Sequence, residues 1–348
     1  MRKTLLSLVA AFGIATPALA DFTFVVPQKP EGGTSVWAEI IARELEPFLG
    51  ETINLQFIPG ARDIPGFNDF HNELQFDDNT VMISHGGNGV SFLQEEVDYD
   101  YRDYDSIGMM NLNIIAGRRV GADMDNPSFA AGSGMVPEAF AMTMLICEPD
   151  STVEQYIECF DEHVTWVSGM SGGERRLAFQ RGELTGTREN PAAYRKHVLT
   201  NPDAELWFHH GLFDLETGGR MDDPNFPGYR FEDLFYQRWG TDPSGELYDA
   251  YNLVRSFRDV MQKALWVRAG NPNRDRLVAA LTAMSEDEAA MGRIAESVGE
   301  YDWIIGDDGN ATRDRLMTFV TADALQNLVQ FNTEALGLDS VYKENLTQ

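Results

Sequence analysis

The chain has 348 residues, 43% of them apolar, and its 55 acidic against 27 basic side chains give a formal charge of −28. Such a length exceeds the size at which one core keeps growing, so two lobes are expected. The acidity excludes a nucleic-acid partner and an anionic membrane surface, both of which need clustered positive charge. It also means that any anionic ligand must be held by local donors against the overall field.

In chain order, Met1-Arg2-Lys3, an apolar run from Leu5 to Ile14 and Ala18-Leu19-Ala20 before Asp21 read as a secretory signal over 1–20, cleaved after Ala20. The run is too short to span a bilayer, and no later stretch approaches about twenty apolar residues. The cleavage point carries no cysteine for a lipid anchor, so the mature chain is expected free in the periplasm. FTFVV (22–26) reads as a buried strand and PQKPEGG (27–33) as a turn-rich loop. A helix follows, with Thr34 or Ser35 as N-cap, Trp37, Ile40, Ile41, Leu45 and Phe48 at helical spacing, and Gly50 as its stop. Strands are predicted at 53–58 and 80–84, with a helix over 65–74 between them. This alternation implies a parallel sheet wound by helices, with binding loops at the carboxyl ends of its strands.

The middle of the chain repeats the pattern: strand 128–131, a Gly-Ser-Gly turn, a helix from Pro137, strand 164–168, a helix over 173–180 and strand 183–187. Residues 218–228, rich in Gly, Pro and charge, read as an irregular surface excursion. Beyond them helices are expected at 247–265, 274–283, 286–298 and 311–336.

Four glycine-bearing turns each follow a predicted strand: Pro27–Ser35, Ser84–Gly89, Gly132–Met135 and Met170–Gly173. Turns of this kind expose backbone N–H groups at a helix N-terminus, which suits a carboxylate without a side-chain cation. Each is also ordinary strand-to-helix architecture. Cys147 and Cys159, twelve residues apart, fit either one disulfide or two buried thiols. The six histidines lack ligand spacing, so no metal and no cofactor are expected. His209 and His210, after Trp207 and Phe208, read as a strand end or core edge, or as a ligand-stacking group. The acidic stretches 95–105 and 285–288 read as solvated charge.

An enzymatic reading competes for two of the turns. GMSGG (169–173) fits the G-x-S-x-G nucleophile elbow with Ser171 as nucleophile, and His85-Gly86-Gly87 resembles an esterase oxyanion loop. That chemistry needs a histidine late in the fold, whereas none follows His210. A receptor needs no such base.

Taken in order, the segments VVPQKPEGGTSVWAEIIARELEPFLG, TVMISHGG, AAGSGMVPEAFA and SGGERRLAFQRGELTGT resemble the tripartite tricarboxylate transporter substrate-binding proteins, the TctC or Bug receptors. The resemblance covers roughly 21–190 well and the remainder loosely. It implies a two-lobed α/β periplasmic-binding-protein fold, type II-like, with the ligand cleft between the lobes. Lobe 1 would comprise 21–113 and about 264–318, and lobe 2 would comprise 114–263 and about 319–348. By position, Gln28, Lys29, Gly32, Gly33, Thr34 and Ser35, with Ser84, His85, Gly86, Gly87 and Asn88, would line one wall. Ser133, Gly134 and Met135, with Ser171, Gly172 and Gly173, would line the other. Glu31 replaces a usual glycine and Ser35 a usual aspartate, which alters the polarity offered to the ligand. Arg188, ending a predicted strand near the cleft, either clamps a carboxylate or pairs with one of the many acids. The implied role is a non-catalytic monomer that binds a small organic acid and delivers it to the membrane subunits of a tripartite tricarboxylate-type transporter; the alternative is a receptor serving a different carboxylate-uptake transporter.

Overall fold

The computed structural model describes residues 21–30, 32–60, 64–86, 90–132, 136–338 and 341–343. The expected signal, Glu31, Gly87, Asn88, Ser133, Gly134 and Met135 lie outside the described residues. Strand β1 (Phe22–Val26) is followed by helix α1 (Gly33–Leu49) and strand β2 (Ile53–Phe57). Helix α2 (Ile64–Asn72) then leads to strand β3 (Thr80–Ile83). Strand β1 lies between β2 and β3 and runs parallel to both. The chain therefore leaves the carboxyl ends of β1 and β3 in divergent directions, and the crevice that opens there is where α/β sheets take ligands. Gly50 ends α1 in the left-handed conformation at φ 75°. The N-cap is Gly32 rather than Thr34 or Ser35, because the Ser35 hydroxyl turns back to the Lys29 carbonyl at 2.7 Å.

The sheet is less parallel than the alternation implies. Strand β4 (Tyr104–Met110) and two late strands, Ala264–Arg268 and Trp303–Ile305, join it in antiparallel pairings to give six strands.

Between these segments lies a second set of elements. Strand β5 (Ile115–Arg119) is flanked by β8 (Gly186–Glu189) and β9 (Ala204–His209) in an antiparallel three-stranded sheet. Strands β6 (Ser128–Ala130) and β7 (Thr165–Val167) form a parallel pair. Helix α3 (Pro137–Ile146) is buried along its whole length, and Cys147 at its end is bonded to Cys159 in α4 (Val153–His163). Closing that twelve-residue separation is worth about 3 kcal/mol in the chain-entropy account. Replacing both cysteines by serine is expected to lower stability in urea by about that amount; an unchanged midpoint would place the constraint elsewhere.

Residues 218–228 are not simply a surface excursion. The short pair β10 (Leu212–Phe213) and β11 (Arg220–Met221) opens the segment, while Asp223 and Phe226 are buried. The Asp223 carboxylate accepts from Asn113 at 2.8 Å and from the Tyr301 hydroxyl at 2.9 Å.

Helix α7 (Phe231–Trp239) precedes the largest departure from helical expectation. Helix α8 (Glu246–Arg255) widens into a π-helical turn, Ser256–Val260, and the chain then enters β12 (Ala264–Arg268), a buried central strand. Two helices, α9 (Arg274–Glu286) and α10 (Glu288–Val298), lead to β13 (Trp303–Ile305). Residues 311–336 divide into α11 (Asp307–Met317) and α12 (Ala322–Glu334), the second capped by Thr321. Among the described residues, no helix is long and apolar enough to cross a membrane.

Candidate functional site

A cavity of about 550 Å³ opens where the ends of β1 and β3 face β8 and the N-terminal end of helix α5 (Gly172–Arg181). From the six-stranded sheet come Gln28, Gly33, Thr34, His85 and Gly86. Gln28 organises its loop: its amide meets the His85 ring at 2.8 Å, and its carbonyl oxygen accepts from the Thr34 N–H at 3.1 Å. A side chain at Gly32 would collide with that carbonyl. From the facing elements come Ser171, Gly172, Arg175, Arg176, Arg188 and Asn190. The strand-end turns of three separate sheets thus share one cavity.

Several expected residues lie near this cavity without lining it. Lys29 is exposed and contributes its carbonyl to Ser35. Ser35 and Ser84 are fully buried. The Ser84 hydroxyl donates to the Met261 carbonyl and accepts from the Trp266 indole, so it anchors β3 to the segment before β12. Gly173 is exposed in the first turn of α5, and Gly32 supports Gln28 from outside.

Ser171 reaches the cavity as the N-cap of α5. Its hydroxyl accepts from the Glu174 N–H at 3.3 Å while the Glu174 carboxylate accepts from the Ser171 N–H at 2.8 Å, a reciprocal cap. Its backbone is extended, at φ −63° and ψ 162°. A nucleophile elbow instead holds its serine in a strained turn.

The cavity's electrostatic character comes from residues that the glycine pattern does not reveal. Among the described residues, Arg175, Arg176, Arg188, Arg258 and Lys263 line it, against the single carboxylate of Glu189. In a chain of charge −28, this is a strong local inversion. Glu189 takes Arg176 with a fork of 3.1 and 3.0 Å. Arg175 donates to the Arg188 carbonyl at 2.8 Å, and its Nε is buried with no hydrogen-bond partner among the described residues. Lys263 donates to the Thr34 hydroxyl at 2.7 Å, joining the segment before β12 to the first loop.

Behind this surface lies Glu138, fully buried in the first turn of α3. Arg188 and the His210 ring both approach its Oε1 at 3.5 Å. Burial alone would raise the Glu138 pKa; Arg188, His210 and Arg258 outweigh it and hold the carboxyl well below the usual range. The guanidiniums carry the opposite burden. Burial, then Arg188, pulls Arg258 down to about 9 and Arg175 down to about 10. Burial and the close approach of like charges thus both act against the charged forms of these guanidiniums. His209 and His210 are both fully buried, and the His210 ring meets the Tyr251 hydroxyl at 2.6 Å.

The π-helical turn places Arg258 here. An extra residue in the turn rotates the following side chains out of α-helical register, and Arg258, Gln262 and Lys263 all reach the cavity. Gly86 packs on this turn: a Cβ there would lie 3.2 Å from the Arg258 carbonyl.

Gly33 lies where the first loop closely approaches the facing wall. A Cβ there would stand 2.8 Å from the Asn190 amide nitrogen. Gly33→Ala is expected to weaken ligand binding about tenfold, the scale of an overpacking strain near 1–2 kcal/mol. Calorimetry would read it, and an unaltered affinity would mean that this approach is not part of the bound state.

The chain has the two-lobed α/β fold of the periplasmic binding proteins. Among solved structures it is similar to the periplasmic binding protein BugD, with a TM-score of 0.60 and 15% identity over 92% of this chain and 98% of that one. It is similar also to MatC from Rhodopseudomonas palustris with bound malate, at 0.51 and 14% over 90% and 98%. A TctC solute-binding protein from Polaromonas, without ligand, matches at 0.52 and 14% over 88% and 98%. The resemblance to TctC and Bug receptors read from the first 190 residues thus extends, as a likeness of fold, over most of the chain. No protein-family model matches the sequence, and no curated protein is similar to it.

Proposed function

We propose that the protein is a periplasmic solute-binding receptor that captures a small organic carboxylate, a di- or tricarboxylate or related acid, without chemical turnover. The observation that carries this reading is the charge inversion: among the described residues, five cationic side chains and one carboxylate surround a cavity of about 550 Å³ in a chain of −28. That volume suits a small ligand. Counting Glu138 and Asp259, both buried beside the cluster, the five cations still exceed the acids by two among the described residues. A dianion restores balance, and guanidinium forks match carboxylate geometry. The bound malate of MatC, a protein of the same fold, supports the ligand class.

In this reading lobe 1 comprises 21–113 and about 264–318, and lobe 2 comprises 114–263 and about 319–348. Strand membership supports the division, since the six-stranded sheet draws only on the first set and the smaller sheets only on the second. Closure of the lobes brings Gln28, Thr34 and His85 against Arg175 and Arg188. The loaded monomer then docks on the membrane subunits of a tripartite tricarboxylate-type transporter, after export by the 1–20 signal. A thermal-shift screen against mono-, di- and tricarboxylates tests the receptor role. A true ligand at 100 times its dissociation constant raises stability by about 2.7 kcal/mol; a panel with no response removes the organic-acid reading.

A further inference from the structure

We propose a second anion site, distinct from the cleft, in which Arg220 receives a small oxyanion. The site is a pocket of about 200 Å³ between the β10–β11 pair and the end of α8. Three arginines line it, Arg220, Arg230 and Arg255, with Glu232 as the one lining carboxylate. Two of the three are matched: Arg255 to Glu232 at 2.6 Å, and Arg230 to Asp233 at 2.7 Å.

Arg220 is held differently. Its guanidinium lies over the Phe213 ring at 5.4 Å, and Nη2 donates to the Ser256 hydroxyl at 2.9 Å. Nη1 is enclosed and has no hydrogen-bond partner, and no carboxylate lies within 4 Å of the group, in each case among the described residues. Asp259 and Glu232 act on it only through space, and among the described residues both buried Asp259 oxygens also lack partners. Enclosing a guanidinium without a counter-ion is strongly unfavourable, and a guanidinium forks naturally onto two oxygens of one anion. Burial and the neighbouring Arg255 pull the Arg220 pKa down to about 10, a second sign that positive charge is in excess here. Ser256 and Asn252 add neutral polar groups to the lining. The pocket is open enough to admit a sulfate, a phosphate or a short carboxylate.

The pocket is connected to the cleft by buried contacts. Arg255 donates to the Tyr251 hydroxyl at 3.3 Å, Tyr251 meets His210, and His210 faces Glu138.

Sulfate titration at constant ionic strength, followed by thermal melting, tests the site in the wild type, Arg220→Gln and Arg188→Gln. Sulfate should raise the melting temperature of the wild type and of Arg188→Gln by several degrees, and that of Arg220→Gln by less than a quarter as much. Repeating the titration with acetate distinguishes a carboxylate from a tetrahedral oxyanion. Should Arg220→Gln fail to fold, Arg220→Lys keeps the charge without the fork and is expected to weaken the sulfate response at least fivefold. An equal response in wild type and Arg220 variants, or no response to either anion, overturns the proposal and leaves a water-bridged Arg220–Asp259 pair. A response lost in Arg188→Gln would assign the sulfate to the cleft and equally overturn it.

Discussion

Replacing Arg188 by glutamine is expected to weaken binding of a dicarboxylate about 100-fold. The side chain lines the cavity and is held from behind by Glu138 at 3.5 Å, so its guanidinium is already oriented when an anion arrives. A hydrogen bond to a charged group in such a site contributes roughly 1.5–3 kcal/mol, and truncating a buried charged partner costs about 2–5 kcal/mol. The change also strands the Glu138 carboxylate, so affinity has to be separated from folding. The double variant Arg188→Gln with Glu138→Gln removes that carboxylate as well. It should melt closer to the wild type than the single variant does, while its affinity stays low. Recovery of affinity in the double variant would show that Arg188 acts only by neutralising Glu138.

The second large effect falls on stability. Glu138→Ala is expected to destabilise the unliganded protein by about 3 kcal/mol or more, because Arg188, Arg258 and the His210 ring are left facing one another in a buried space. The sign of its pH dependence follows from the lowered carboxyl pKa. Such a group contributes in full above its unfolded value, loses that contribution progressively below it, and loses the last of it as pH falls through the depressed folded value. The gap between wild type and Glu138→Ala in urea should therefore narrow as pH is lowered from about 6 toward about 3. A gap that widened on acidification would mean that the carboxyl is protonated in the native protein.

Both effects rest on residues whose role is only partly written in the sequence. The strand-end turns were legible because local chemistry makes them: FTFVV followed by PQKPEGG, TVMIS followed by HGG, and VTWVS followed by GMSGG each join a short apolar run to glycine. That reading names Gln28, Gly33, Thr34, His85 and Ser171, and the end of a predicted strand adds Arg188; all of them line the cavity. Arg175 and Arg176 were missed, although a signal was present. Two adjacent cations within the first turns of a helix oppose its dipole, and GGERR places them there. In the fold Glu189 answers Arg176 with a fork, and Arg175 donates to the Arg188 carbonyl.

Arg258, Gln262 and Lys263 had no such signal. The stretch from Leu247 to Leu265 keeps apolar residues at helical spacing, and nothing in its composition announces the π-helical turn at Ser256–Val260. The strand that follows, Ala264–Arg268, is central and buried on both sides, so it lacks alternation and reads as more of the same helix. The break between α11 and α12 was hidden for a related reason. TFVT at 318–321 contains neither Gly nor Pro, and its one cue is Thr321 as a cap. Glu138 was invisible for a different reason, since its importance depends on Arg188, fifty residues later, and on His210.

Placing a dianion in this cavity is the central claim, and calorimetric titration with malate and with its monoamide tests it most directly. One site per chain is expected, with the diacid bound at least tenfold more tightly than the monoamide and the difference abolished in Arg188→Gln. Equal affinity for the two, or binding of a neutral solute with none of either acid, would contradict the assignment of the arginine-lined cleft to a dianion.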